Sequence, residues 1–336
     1  MVRPAGRWHN RARPSPGTRG SAGPLDIVVT IILPVFGIVI FAYAVARARL
    51  FDLKSTAALS NFVFNFALPA MLFRTLAATE MPEHFAWGLI FSYYGGVVAV
   101  FALAMAVGGL VFGRRLDGQG VVGMTAGYAN LVLIGIPLVL TAVGERAAVP
   151  LFIIVGLNSL ILYSIATVVI ETGRGSREGL ARLPLNVARG LVTNPIVMSM
   201  IAGFAFGMLG WRLPESIDVL LKTLGTAGPP CALFAMGATL AQYRIAGNVA
   251  ESLILVALKL VVHPLAVLLL ATYVFELEPL YRMVAVVLAG MPSGVNAFLF
   301  ANRYETGVAT ATTSIFLSTA LSMVTLTVIL ALFAVR

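Results

Sequence analysis

Two strings in this chain place an amide beside helix-breaking residues inside apolar sequence. They are Gly127-Tyr-Ala-Asn130-Leu-Val-Leu-Ile-Gly135-Ile-Pro137 and Ala289-Gly290-Met-Pro292-Ser293-Gly294-Val-Asn296-Ala-Phe298. An amide in hydrocarbon is costly unless it is hydrogen-bonded. A proline inside a helix removes one N–H and displaces the carbonyl four residues earlier. Backbone groups freed in this way can bind a solute, and half-helix N-termini offer partial positive charge to an anion. Asn130 and Asn296 therefore either bind solute or tie neighbouring helices together. Two amides beside matched Gly/Pro breaks favour the first reading. Pro137, Pro292 and Gly135 shape the breaks, and Thr125, Tyr128 and Ser293 are further candidates on the same segments.

Other polar residues in apolar sequence are fewer. Lys259 and His263 lie one turn apart, followed by Pro264. An intramembrane lysine is a functional candidate, and the competing role is a structural cation that bonds broken-helix carbonyls. Asn61 and Asn65 are also one turn apart and could face a cavity. Pro69 and Gly228-Pro229-Pro230 read as hinges or packing kinks, and Asp218 with Lys222 as an interfacial i, i+4 pair. All 14 acidic residues fall in the N-terminal tail, in connections or in outer turns. That disfavours an antiporter with paired buried aspartates. It suits a site of amides, hydroxyls, helix N-termini and Lys259, which fits an organic anion.

The positioning elements follow from composition. Of 336 residues 59% are hydrophobic and 11% charged, with a mean hydropathy of +0.95. A soluble domain carries roughly 25% charged residues, so this chain could not cover a water-facing surface. Single Cys231 excludes an intrachain disulfide, and His9, His84 and His263 are too scattered for a metal site. No phosphate-binding glycine loop, zinc spacing or protease set is present, so neither an enzyme nor a cofactor is expected. Ser293 with His263 makes an implausible dyad. The net charge of +9 reads as membrane-side arginines and lipid contacts, not nucleic-acid binding.

The expected fold class is an all-α polytopic membrane protein. A span needs about 20 apolar residues, and ten such stretches are expected: 25–46, 55–77, 85–112, 119–141, 147–171, 189–210, 215–241, 249–275, 280–301 and 306–334. Residues 1–24, with five arginines, read as a disordered basic tail. The tail, the apolar run and Ala44-Val45-Ala46 mimic a signal peptide, but the run suits a retained first helix better. The polar stretch 172–188 reads as a cytosolic loop dividing five spans (25–171) from five (189–336).

Proline register supports a duplication. Pro34 and Pro195 are 161 residues apart, as are Pro69 and Pro230, and Pro137 and Pro292 are 155 apart. Five spans per repeat force opposite orientations, the inverted-repeat plan of secondary transporters. Lys and Arg favour the side of the 172–188 connection by 11 to 5, leaving out the tail, which places both termini outside.

At these residues the chain resembles the auxin efflux carrier family and its bacterial permeases. The strings are Asn130 to Pro137, Asn194-Pro195, Pro230-Cys-Ala-Leu-Phe-Ala-Met-Gly237, Lys259-Leu-Val-Val-His-Pro264 and Met291 to Phe298 with Asn302-Arg-Tyr304. The resemblance runs from about residue 27 to the end. It implies ten transmembrane helices in a 5+5 inverted repeat, the fold of the bile-acid/sodium symporters, with broken helices 4 and 9 crossing at Pro137 and Pro292. It implies a scaffold of helices 1, 2, 6 and 7, and a transport domain of 3–5 and 8–10. Asn130 would bind the substrate carboxylate, in a homodimer moving like an elevator in the inner membrane among its lipids. The long cytosolic loop of the larger plant members has no counterpart beyond 172–188. The expected function is secondary transport of a small organic anion, an auxin-like acid, malate or malonate. The alternative is a sodium- or proton-coupled symporter of the bile-acid type.

Overall fold

The computed structural model describes residue 26, residues 28–79 and residues 86–334. The tail expected over 1–24 lies outside the described residues. The described chain is helical, and its one β-type contact is a single bridge between Ala129 and Ser293.

Helices α1 (Val28–Arg47), α2 (Leu53–Ala77) and α3 (Trp87–Leu110) are each long and apolar enough to cross a bilayer. After them come α4 (Leu116–Gly127), α5 (Leu131–Val143) and the long α6 (Ala148–Arg174). Next are α7 (Arg177–Thr193), α8 (Pro195–Met208), α9 (Glu215–Leu240) and α10 (Val249–Val274). The chain closes with α11 (Pro279–Ala289), α12 (Val295–Arg303) and α13 (Val308–Ala334). By length and composition seven of these helices can cross a membrane, or eight if α7 and α8 form one bent span. The chain is therefore a multi-pass membrane protein.

Two of the expected spans, 119–141 and 280–301, are interrupted. The first gives α4, of 12 residues, then α5. The second gives α11, of 11 residues, and α12, of 9. At about 1.5 Å per residue none of these halves spans a bilayer core alone.

The segment 172–188 is not a loop. It lies mostly within α7, which buries none of its residues and meets α8 at a bend of 67°. Asn194 makes the corner: its side chain accepts from the Ile196 N–H at 3.0 Å, and Pro195 opens α8 at a position where an N–H would have no helical partner, so the donor that proline lacks is not missed. The span expected over 189–210 is thus divided between an amphipathic surface helix and an apolar one.

Four prolines are held within continuous helix. Wide turns at Val28–Ile32, Val63–Ala67, Leu131–Gly135 and Leu258–Val262 immediately precede the segments opened by Pro34, Pro69, Pro137 and Pro264. In the third, the Gly135 N–H donates to the Asn130 carbonyl at 3.0 Å, five residues back. The extra residue per turn relieves the clash between the proline ring and the preceding carbonyl.

Helices α1 and α9 approach closely at Gly237, where a Cβ would lie 2.1 Å from the Val39 carbonyl oxygen. Asp218 pairs with Arg74 at 2.7 Å, tying α9 to α2, and not with Lys222 as expected. Arg114, between α3 and α4, pairs with the buried Glu251 at the start of α10. Thr310 of α13 donates to the same carboxylate at 3.1 Å. Hydrogen bonding to Glu251 raises the Arg114 guanidinium above its ordinary pKa. A buried carboxylate without such partners would be strongly destabilising.

Candidate functional site

The two breaks touch. Tyr128 is in extended backbone after Gly127, and Gly294 is extended before Val295. Between them the Asn130 N–H donates to the Pro292 carbonyl, and the Gly294 N–H donates to the Tyr128 carbonyl, both at 2.8 Å. Backbone groups without helical partners are satisfied across the crossing, as the membrane interior demands. Gly294 is required there: a Cβ would meet the Tyr128 ring at 2.7 Å and the Ala129 carbonyl at 3.1 Å. The crossing lies at Tyr128–Asn130 and Pro292–Gly294. Pro137, expected at the crossing, sits seven residues beyond Asn130 inside α5, where the wide turn accommodates it.

Beside the crossing is a chamber of about 60 Å³, lined by Tyr128–Leu133, Asn158, Ser159 and Gly294–Asn296, with Phe64 and Val155. The N-terminal ends of α5 and α12 both face it. Among the described residues no charged side chain lines it. Asn130 is buried. Its Oδ1 caps α5 by accepting from the Leu133 N–H at 3.3 Å, and its Nδ2 donates to the Met236 sulfur, a weak acceptor, at 3.1 Å. Asn296 donates to the Tyr128 hydroxyl at 2.5 Å, which in turn bonds the Ser159 hydroxyl at 2.8 Å. Buried Asn158 has an Oδ1 with no partner, an unmet polar group in the chamber wall.

A larger cavity of about 640 Å³ adjoins the chamber between α6, α7, α8 and α12. The two spaces share Phe64, Ser159 and Asn296. An aromatic wall runs outward from the crossing. Tyr128 stacks on Tyr163 at 5.9 Å, Tyr163 meets Phe300 at 5.1 Å, and Phe300 meets Tyr304 at 5.3 Å. Glu171, Glu178, Arg182 and Arg303 are the charged residues lining it.

The remaining expected residues lie elsewhere. Ser293 is buried behind the crossing: its hydroxyl donates to the Thr125 carbonyl at 2.8 Å, and its N–H donates to the Ser318 hydroxyl at 3.0 Å. Thr125 returns its own hydroxyl to the Val121 carbonyl. Both fasten the crossing and neither lines the chamber. Gly135 faces Leu288 of α11. Asn65 is exposed and donates to the Asn61 carbonyl at 3.0 Å; from α2 the chamber takes Phe64 instead. Lys259 is fully buried, and donates to the Ala289 carbonyl at 3.0 Å and to the His263 Nδ1 at 2.8 Å. It holds the last carbonyl of α11, the structural alternative, and lines neither space.

Sequence reasoning missed Asn158, Ser159, Tyr163 and Phe64. The signal for Asn158 was available, since it is an amide in the apolar middle of α6, the same criterion that found Asn130.

Comparison with known proteins finds a family of membrane transporters. The profile of the family described as "Membrane transport protein" matches residues 27–330. A Rhizobium meliloti protein, named as a candidate malonate transporter, is 30% identical over 89% of this chain and 94% of its own length. Auxin efflux carrier component 8 of Arabidopsis thaliana is 26% identical, over 84% of this chain and 91% of its own. An uncharacterized transporter of Escherichia coli is 23% identical over 88% and 94%.

Proposed function

Because the chain belongs to the membrane transport protein family that holds the auxin efflux carriers, we propose that it is a secondary transporter of a small organic anion, which binds in the chamber at the crossing. Members and relatives of this family are transporters, not enzymes. One observation carries the reading: two half-helix N-termini and the amides of Asn130 and Asn296 line one uncharged chamber that shares part of its wall with a wide cavity. Helix N-termini aligned on one point favour an anion. Amides and hydroxyls supply directed donors without trapping the solute by a fixed charge.

In this reading α4 with α5, α11 with α12, and α7 with α8 each count as one crossing. The chain then has ten spans in a 5+5 inverted repeat. Helices α1, α2, α8 and α9 form the scaffold, and α3–α6 with α10–α13 carry the solute in an elevator-type movement. The bond from Asn130 to Met236 of α9 lies on the boundary between these two groups. The arginine-rich side is cytoplasmic, so the cavity that reaches Arg182 and Arg303 opens inward from a bacterial inner membrane. The names of the relatives suggest malonate or an auxin-like acid as the kind of carboxylate carried.

The test is flux of radiolabelled carboxylates in proteoliposomes. Wild-type protein transports a carboxylate, and Asn130→Ala and Asn296→Ala each lose most of the rate. Wild-type rates in both variants would remove the site from this reading.

A further inference from the structure

The chamber can neutralise only one negative charge. Each helix N-terminus contributes roughly half a unit of positive charge, and two face the chamber. Together they match one carboxylate. A second carboxylate on the same solute would lie uncompensated, at a steep cost in a low-dielectric site. It must reach a counter-charge in the adjoining cavity.

Among the described residues, one cation on that cavity wall is outside any ion pair. Arg182 is engaged by Glu178 at 2.5 Å. Glu171 accepts from the Tyr304 hydroxyl at 3.1 Å. Arg303 forms no ion pair among the described residues, and rests 5.8 Å from the Tyr304 ring centroid. It follows Asn296 by seven residues on α12, and both line the cavity. Seven residues bring the helix round to the same face, about 10 Å further along its axis. The Arg303 guanidinium rests over the Tyr304 ring; because side chains on a helix lean towards its N-terminus, a change of rotamer would swing it back towards Asn296. Two groups set about 10 Å apart along one helix face, one of them on a long flexible arm, suit the two ends of a short dicarboxylic acid, about three to five carbons long.

We propose that Arg303 receives the second carboxylate of the solute, and so makes this transporter selective for short dicarboxylates over monocarboxylates. This rests on the proposed chamber site for the first carboxylate. Arg303 is a specificity-determining residue; the crossing binds, and Arg303 chooses. A guanidinium suits the role because its planar fork meets a carboxylate in two parallel hydrogen bonds.

The experiment measures binding to the full-length purified protein with two probes of nearly equal shape. Malonate carries two carboxylates; malonamate replaces one with a neutral amide. Succinate and glutarate extend the series. At low salt, wild-type protein binds at least one dicarboxylate of the series about tenfold more tightly than the matching half-amide. In Arg303→Gln that ratio falls close to one, because the dicarboxylate weakens, while the melting temperature is held. Arg303→Lys restores part of the ratio. The inference is overturned if wild-type protein shows no preference, if it binds no dicarboxylate of the series, or if Arg303→Gln keeps the ratio. It is also overturned if that variant weakens both probes equally. Asn130→Ala separates the two ideas: it weakens both probes if the chamber is the site. If Asn130→Ala binds both as wild type does, the chamber reading itself fails.

Discussion

The backbone N–H of Asn130 donates to the carbonyl of Pro292 at 2.8 Å, joining residues 162 positions apart at the point where two helices stop. The reciprocal bond from Gly294 to Tyr128 completes the contact. Two interrupted helices are thereby fixed to each other before any side chain takes part.

Gly294→Ala should disrupt this junction. The added methyl meets the Tyr128 ring at 2.7 Å, closer than real side chains come, and the Ala129 carbonyl at a tight 3.1 Å. Overpacking of this kind costs about 1–3 kcal/mol. A lower melting temperature in detergent and loss of flux are expected together. Gly175→Ala, far from the crossing on the α6–α7 turn, should leave flux high while straining only a left-handed turn.

Asn158→Leu should impair transport with little loss of stability. Its Oδ1 has no partner, so the leucine removes an unmet acceptor and no hydrogen bond to that atom. Binding by thermal shift, in which a ligand stabilises only the state that holds it, should fall several-fold. An unchanged ligand-induced shift would place Asn158 outside the binding surface.

Lys259→Met should behave in the opposite manner. It leaves the Ala289 carbonyl and the His263 Nδ1 without their donor, and an unsatisfied buried group costs about 1–3 kcal/mol. The melting temperature should drop while the ligand-induced shift remains. Loss of that shift in a protein that still melts cooperatively would make Lys259 part of the binding site.

Glu251→Gln should loosen the ends of α10 and α13 nearest Arg114. The buried carboxylate holds both Arg114 and Thr310. Because Arg114 is only partly buried, the cost should be below the roughly 3–5 kcal/mol of breaking a fully buried pair. Amide hydrogen exchange should accelerate over residues 248–252 and 308–312, while the crossing stays protected.

The sequence made the two breaks legible because Gly, Pro and Asn in mid-span leave few alternatives. It misplaced the first crossing by relying on Pro137. A proline can be absorbed by one wide turn, whereas the interruption at Tyr128–Asn130 has no proline at all. The surface helix α7 was hidden by its charges, although Leu180, Leu183, Val187 and Leu191 recur at helical spacing. Asn65 and Lys259 show the limit of type and spacing. Both are polar residues in apolar helices, yet one faces outward and the other binds a neighbouring backbone. Which way a side chain faces depends on neighbouring helices that lie far away in the chain.

A knot tied in main-chain atoms has no preference among most side chains. In the proposed reading, substitutions at Asn296, Phe300 or Arg303 change what is carried without shifting the place where the two halves grip each other. Such a carrier can acquire new cargo by small steps, keeping its moving parts while the lining around them drifts.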